Sequence, residues 1–230
     1  MSASAAVEHI ETVVLACEAM ATRFELVLCG EDGAHLRAAG EEAIEEILLT
    51  HDRLTRFARS SVVSAINEAA GLRAVGVDSE LFGLFGLCEC VRRESGGAFD
   101  ITRGGGGVEL DPARSSVRLA GISASVDLGG VGKGFGLDLA ADVLRDTGIE
   151  SALLQGGTST AVAIGARPDG EPWVIEVPAA SDGSLRVAIR DEAVSVSEAT
   201  SSRGVAHVVD PASGAAAAGA PGGAGEIGRA

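Results

Sequence analysis

The stretch Val126-Asp127-Leu128-Gly129-Gly130-Val131-Gly132-Lys133-Gly134-Phe135-Gly136, VDLGGVGKGFG, runs an apolar segment with one aspartate straight into five glycines and one lysine. Glycine loses more backbone freedom on folding than any other residue, so such a cluster marks one of two things. Either a helix packs closely on a strand, or backbone N–H groups face a ligand. Asp127 sharpens the choice, because a carboxylate beside a glycine loop needs a partner: Lys133, a metal, or a ligand donor. Two common phosphate loops fail here. A Walker A loop needs Gly and Ser/Thr where Asp127 and Gly134 stand, and a GxGxxG frame starting at Gly130 ends on Phe135.

Working outward, Ser125-Val126-Asp127-Leu128 reads as a strand, and Leu137, Ala140, Ala141 and Leu144 as the inner face of a helix ending near Gly148. Ala152-Leu153-Leu154-Gln155 reads as the next strand, completing a strand, Gly loop, helix, strand unit that aims helix N–H groups at an anion. Upstream, Val13–Ala16 and Phe24–Leu28 read as strands joined through Cys17–Thr22. Ile44, Ile47, Leu48, His51 and Leu54 recur at helical spacing. Asp78-Ser79 caps a second helix whose apolar face is Leu81, Leu84, Phe85, Cys88 and Val91, stopped by Gly96-Gly97. Ala98–Thr102 follows as a loop or short strand, then the glycine run Arg103–Gly107, a turn at Leu110–Arg114 and a strand at Val117–Leu119. Downstream, Trp173–Val177, Leu185–Ile189, Val194–Ser197 and Ala206–Val209 alternate as antiparallel strands. These features predict one α+β domain over 1–213, antiparallel strands with packed helices, and a low-complexity Gly/Ala tail over 214–230.

Hydrophobic residues make up 46% of the 230, enough for a folded core and too many for a disordered chain. The formal net charge of −15, with no basic stripe, argues against nucleic acid as a partner. Cys17, Cys29, Cys88 and Cys90 show no metal-binding spacing and read as reduced core residues. Residues 1–20 lack a basic signal-peptide start, and no segment reaches the roughly 20 apolar residues that span a bilayer. A cytoplasmic chain without membrane insertion is expected.

Taken together in order, Gly97-Ala98-Phe99-Asp100-Ile101-Thr102, Asp127-Leu128-Gly129-Gly130-Val131-Gly132-Lys133-Gly134 and His207-Val208-Val209-Asp210-Pro211-Ala212-Ser213-Gly214 resemble the ApbE family of FAD:protein FMN transferases. Ala19-Met20-Ala21-Thr22 is similar to that family's flavin-contacting turn, and Leu54–Phe57 with Val63–Asn67 to a stretch that sets an aromatic ring against the flavin. Gly156-Gly157 resembles its Asn-Leu-Gly-Gly strand end. The resemblance spans about Ala19 to Gly214.

It implies an enzyme that uses Mg2+ to attach FMN from FAD to a Thr or Ser of an acceptor protein. It also implies a flavin-nucleotide site of Met20, Phe57, Phe99, Asp100, Ile101, Asp127, Lys133 and His207, with Asp127 and Lys133 catalytic and the Gly130 carbonyl a metal ligand. The chain departs from the family's pattern after Thr102, where Arg103–Gly107 replaces a Pro-Leu-Val…Trp-Gly-Phe segment, and at Thr158, where an aspartate is expected. It also ends before the family's principal metal-binding segment, so the resemblance implies a shortened and diverged member. On the residues alone, Met20, Phe57 and Phe99 read as plain core, Asp100 and Asp127 equally as capping or turn residues, and His207 as a half-buried strand residue. A non-catalytic FAD-binding homologue and a structural protein whose glycine loop binds nothing therefore stay open.

Overall fold

The structure is a computed structural model that describes residues 9–178, 184–196, 210, 211, 213, 215 and 224–229. In chain order its elements are β1 (Glu11–Ala19), β2 (Thr22–Gly30), α1 (Gly33–Leu54), α2 (Val62–Glu68), β3 (Val75–Gly76), α3 (Ser79–Glu94), β4 (Glu109–Asp111) and β5 (Ser116–Arg118). They continue with α4 (Gly132–Asp146), β6 (Ala152–Gly156), β7 (Thr160–Ile164), β8 (Trp173–Pro178), β9 (Ser184–Ile189), β10 (Glu192–Val196) and β11 (Ala224–Arg229). All strand pairs are antiparallel, and the expected α+β architecture of antiparallel strands and packed helices is what the chain adopts. The chain divides into two compact units. One holds the described residues of Met1–Leu48, Gly136–Val196 and Ala224–Ala230, the other those of Leu49–Phe135 and Ser197–Gly223.

The first unit is built on a six-stranded sheet in the order β1-β2-β6-β7-β10-β11. Side chains alternate along each strand, so Phe24, Leu26, Leu28 and Leu154 enter one core with Leu36, Ala39, Ala43 and Ile47 of α1 and Leu137, Ala140, Ala141 and Leu144 of α4. The opposite face carries Cys29, Leu153, Ala161 and Ala163, covered by Trp173, Ile175, Val177 and Ile189 of the β8–β9 hairpin. Asp32 starts α1 by accepting from the Ala34 and His35 N–H groups.

The second unit packs α2 and α3 around a small β3-β5-β4 sheet. Ser61 caps α2 through the Ser64 N–H, and Asp78 caps α3 through the Leu81 N–H at 2.9 Å. Ile66, Leu81, Phe85, Val117, Leu119, Val126 and Leu128 form its core.

Several expectations give way. Ser125–Leu128 is not a strand: the Val126 N–H goes to the Asn67 side chain and the Asp127 N–H to the Ile101 carbonyl, which leaves no ladder to join. The connection between the first strands is only Met20-Ala21, because β1 and β2 pair up to Ala19 and Thr22. Leu48 on α1 and Val91 on α3 are exposed rather than part of the apolar faces. Residues Ala224–Arg229, inside the Gly/Ala-rich stretch, pair with β10. The Ala206–Val209 strand lies outside the described residues. Cys29 and Cys88 are buried thiols, and burial pushes Cys88 up to about 11. No described helix is long and apolar enough to cross a membrane.

Candidate functional site

Two loops of the second unit meet through one backbone bond, from the Asp127 N–H to the Ile101 carbonyl at 2.9 Å. The first loop follows α3 and is organised by Asp100. Its Oδ1 accepts from the Thr102 N–H at 2.8 Å and the Thr102 hydroxyl at 2.6 Å, and its Oδ2 accepts from the Gly104 N–H at 2.9 Å. Burial pushes the Asp100 carboxyl up, but these three donors and the Arg92 charge outweigh it and hold the group below its ordinary value. Arg103 has φ +51° and Gly104 φ +85°, both left-handed. Gly104 has a steric reason to be glycine as well, since a Cβ there would meet the Pro211 carbonyl.

The second loop begins at Val126, clasped on both backbone groups by Asn67: Oδ1 accepts from the Val126 N–H at 2.7 Å, and Nδ2 donates to the Val126 carbonyl at 3.1 Å. Leu128 is buried, and its carbonyl accepts from the Val131 and Gly132 N–H groups where α4 starts. Asp127, between these anchors, is fully engaged. Its Oδ1 accepts from the Gly129 N–H at 2.9 Å, while Oδ2 faces the Arg103 Nη2 at 2.8 Å and the Arg56 Nε at 3.4 Å. The Arg56 guanidinium also lies 4.7 Å from the ring centroid of Phe57, a cation–π distance. Phe57 is 84% exposed, which removes the core reading for that residue.

Two of the five glycines after Asp127 bear on the choice posed by the sequence, while Gly132 and Gly136 are buried. Among the described residues, a Cβ at Gly130 or Gly134 would meet nothing within 4 Å, and neither glycine has a left-handed backbone. Neither close packing nor conformation requires glycine at these two positions. Lys133, in the first turn of α4 between buried Gly132 and half-buried Gly134, is itself half-buried and is the chain's only lysine. It makes no ion pair with a described residue.

Of the residues singled out in the sequence, Asp100, Ile101, Asp127 and Phe57 thus fall in one bonded cluster. Phe99 packs against the core of the second unit, and Met20 against the α1/α4 core of the first. Met20 and Ala21 form the β1–β2 turn with φ +50° and +59°, a conformation that usually selects glycine or asparagine. His207 lies outside the described residues. Sequence reasoning missed Asn67, Arg56 and Arg103. The first two sat inside or beside quoted motifs without a chemical role, and Arg103 reaches Asp127 from 24 residues away, a separation no local pattern reveals. Among the described residues no three His, Cys, Asp or Glu side chains converge as a metal site.

Comparison with known proteins bears on the fold and the family. No curated protein matches the chain. Among solved structures, the ApbE protein of Thermotoga maritima superposes with a TM-score of 0.79 at 22% identity, covering 90% of this chain and 79% of that one. The flavinyl transferase ApbE of Pseudomonas stutzeri gives 0.76 at 22% identity, with 89% and 75% covered. The flavin transferase ApbE of Vibrio cholerae gives 0.73 at 21% identity, with 90% and 78% covered. At such identities the likeness establishes the fold. The family model itself matches residues 20–107 and 105–221, most of the sequence, and on that match the chain belongs to the ApbE family.

Proposed function

We propose that this chain is a flavin transferase that binds FAD at the paired loops and moves FMN to the hydroxyl of a Thr or Ser on an acceptor protein. The carrying observation is the pair of glycines, Gly130 and Gly134, that no contact among the described residues requires. Bare backbone at Gly130 and Gly134, close in sequence to the sole lysine, suits close approach of a nucleotide's ribose and pyrophosphate. In the reaction the acceptor oxygen bonds to the FMN-side phosphorus, the bond from that phosphorus to the bridging oxygen breaks, and AMP departs with the electron pair. The acceptor's proton passes to solvent. Lys133 offsets charge gathering on the leaving phosphate, the kind of fixed electrostatic help that carries most phosphoryl transfer. Exposed Phe57 offers a flat apolar wall, with Met20 and Phe99 assigned to the flavin by family resemblance alone.

Magnesium, which the resemblance implies with the Gly130 carbonyl as a ligand, does not fit the described donors. Mg2+ takes oxygen ligands in near-octahedral array, and the Asp127 carboxylate is already shared by two guanidinium groups and the Gly129 N–H. No step above runs through the metal. The same occupancy favours a second reading, FAD binding without transfer.

The test is to incubate the purified chain with FAD and a threonine-bearing acceptor, then follow AMP release and the acceptor's mass. FMN added to the acceptor supports transfer. Quenched flavin fluorescence without AMP supports the second reading, and no response to FAD overturns both.

A further inference from the structure

We infer that Arg56 and Arg103, aligned by Asp127, form a guanidinium clamp for the pyrophosphate of the bound dinucleotide, so that protein cations hold the phosphates where a protein-bound divalent ion does not fit. This rests on the FAD reading for the identity of the ligand, and on the cluster's own chemistry for the rest.

The argument begins with charge. Two guanidinium groups converge on Asp127 Oδ2, at 2.8 Å and 3.4 Å, in a chain whose formal net charge is −15 and whose cations are therefore few. Two like charges at one oxygen repel, and exposed ion pairs contribute little to stability, so folding alone gains little from the second arginine. A bound anion supplies a reason for it. Each guanidinium carries five N–H donors, and the Asp127 contacts are made by Arg103 Nη2 and Arg56 Nε alone. The remaining planar forks match phosphate oxygens in pairs.

Geometry adds a second argument. Arg103 holds φ +51°, a left-handed backbone that costs a non-glycine residue about 1–2 kcal/mol. Arg103 is nevertheless fixed there, by the Asp100 turn on one side and by Asp127 on the other. Met20, Ala21, Ser115 and Asp191 share this backbone at turns and bends, so the strain at Arg103 supports the clamp through its coupling to the Asp127 contact. Arg56 is steadied in turn by the Phe57 ring.

The experiment measures binding of inorganic pyrophosphate by calorimetry, and of FAD and riboflavin by fluorescence, with EDTA present throughout. It compares the wild-type chain with Arg56→Ala, Arg103→Ala and Arg103→Lys. The clamp predicts that wild type binds pyrophosphate without a divalent ion, and that each alanine variant loses about tenfold in affinity for pyrophosphate and FAD. It also predicts an intermediate loss for Arg103→Lys and riboflavin affinity unchanged in both Arg103 variants. Pyrophosphate binding that appears only on adding Mg2+, or that survives both alanine changes, overturns the clamp. FAD bound equally well by all variants removes the clamp and leaves the flavin reading standing. Arginine-dependent pyrophosphate binding with no response to FAD or riboflavin does the reverse. Matched thermal melts separate these outcomes from misfolding.

Discussion

Asp127 answers to two demands at once, closing its own loop through the Gly129 N–H and gathering two arginines. Its structural share is small, because the carboxylate is partly exposed and one hydrogen bond is worth about 1 kcal/mol net. Asp127→Ala is therefore expected to cost about 1 kcal/mol in denaturant unfolding, while freeing Arg56 and Arg103 weakens FAD binding about tenfold. A collapsed melt with unchanged affinity among the folded molecules would assign Asp127 to the fold alone. Asp100 carries the opposite balance. All three of its short hydrogen bonds stay within its own loop, so Asp100→Ala is expected to cost about 2 kcal/mol at neutral pH. Its folded pKa lies below the unfolded value of about 3.9, so its stabilisation is complete above that pH and disappears as pH falls through the folded pKa. The gap between wild type and Asp100→Ala should accordingly narrow below about pH 4. A gap independent of pH in urea titrations contradicts this account.

At the scale of elements, what the sequence made legible were those whose periodicity is enforced by one core. The α4 face of Leu137, Ala140, Ala141 and Leu144 is fully buried, and Asp78 caps α3 as its side chain dictates. Illegible were places where tertiary bonds override local pattern. Ser125–Leu128 alternates like a strand, but Asn67 and Ile101 take its N–H groups. The β1–β2 hairpin turns on Met20-Ala21 without the glycine or asparagine that signals such turns, and sequence reading made the connection too long. In the site, carboxylates and glycines were visible because their residue types are conspicuous in sequence. The arginines were not, since a charged residue's partner is a fact of the fold. The β8–β9 hairpin yields a test of its own. Trp173 is buried with Ile175 and Val177 over the sheet, yet its indole N–H meets no acceptor among the described residues. A buried unsatisfied donor costs about 1–3 kcal/mol, so Trp173→Phe should offset lost area and change stability by less than about 1 kcal/mol. Trp173→Ala, which leaves a cavity, should cost about 3–5 kcal/mol. A Phe variant as damaged as the Ala variant would mean that the N–H is bonded after all.

For the whole molecule, the ruling fact is a net charge of −15 on a chain proposed to bind an anion. On that proposal FAD meets repulsion far from the surface, and attraction takes over only within reach of Arg56 and Arg103. These ranges separate experimentally, because the screening length is about 30 Å at 0.01 M salt and about 8 Å at 0.15 M. Adding salt over that interval removes most of the long-range repulsion while weakening contacts of about 3 Å much less. Association of FAD, followed by stopped-flow flavin fluorescence, is expected to quicken by a few-fold from 0.01 to 0.15 M salt, with a smaller rise in dissociation. Proteins that steer anions with an extended positive field show the opposite, a steep fall in association rate with salt. That outcome here would mean that the arginine cluster dominates the potential well beyond its own contacts. The same measurement on Arg56→Ala separates the terms: dissociation should quicken while the salt dependence of association stays close to wild type, because one surface cation changes the contact far more than it changes the field of the whole chain.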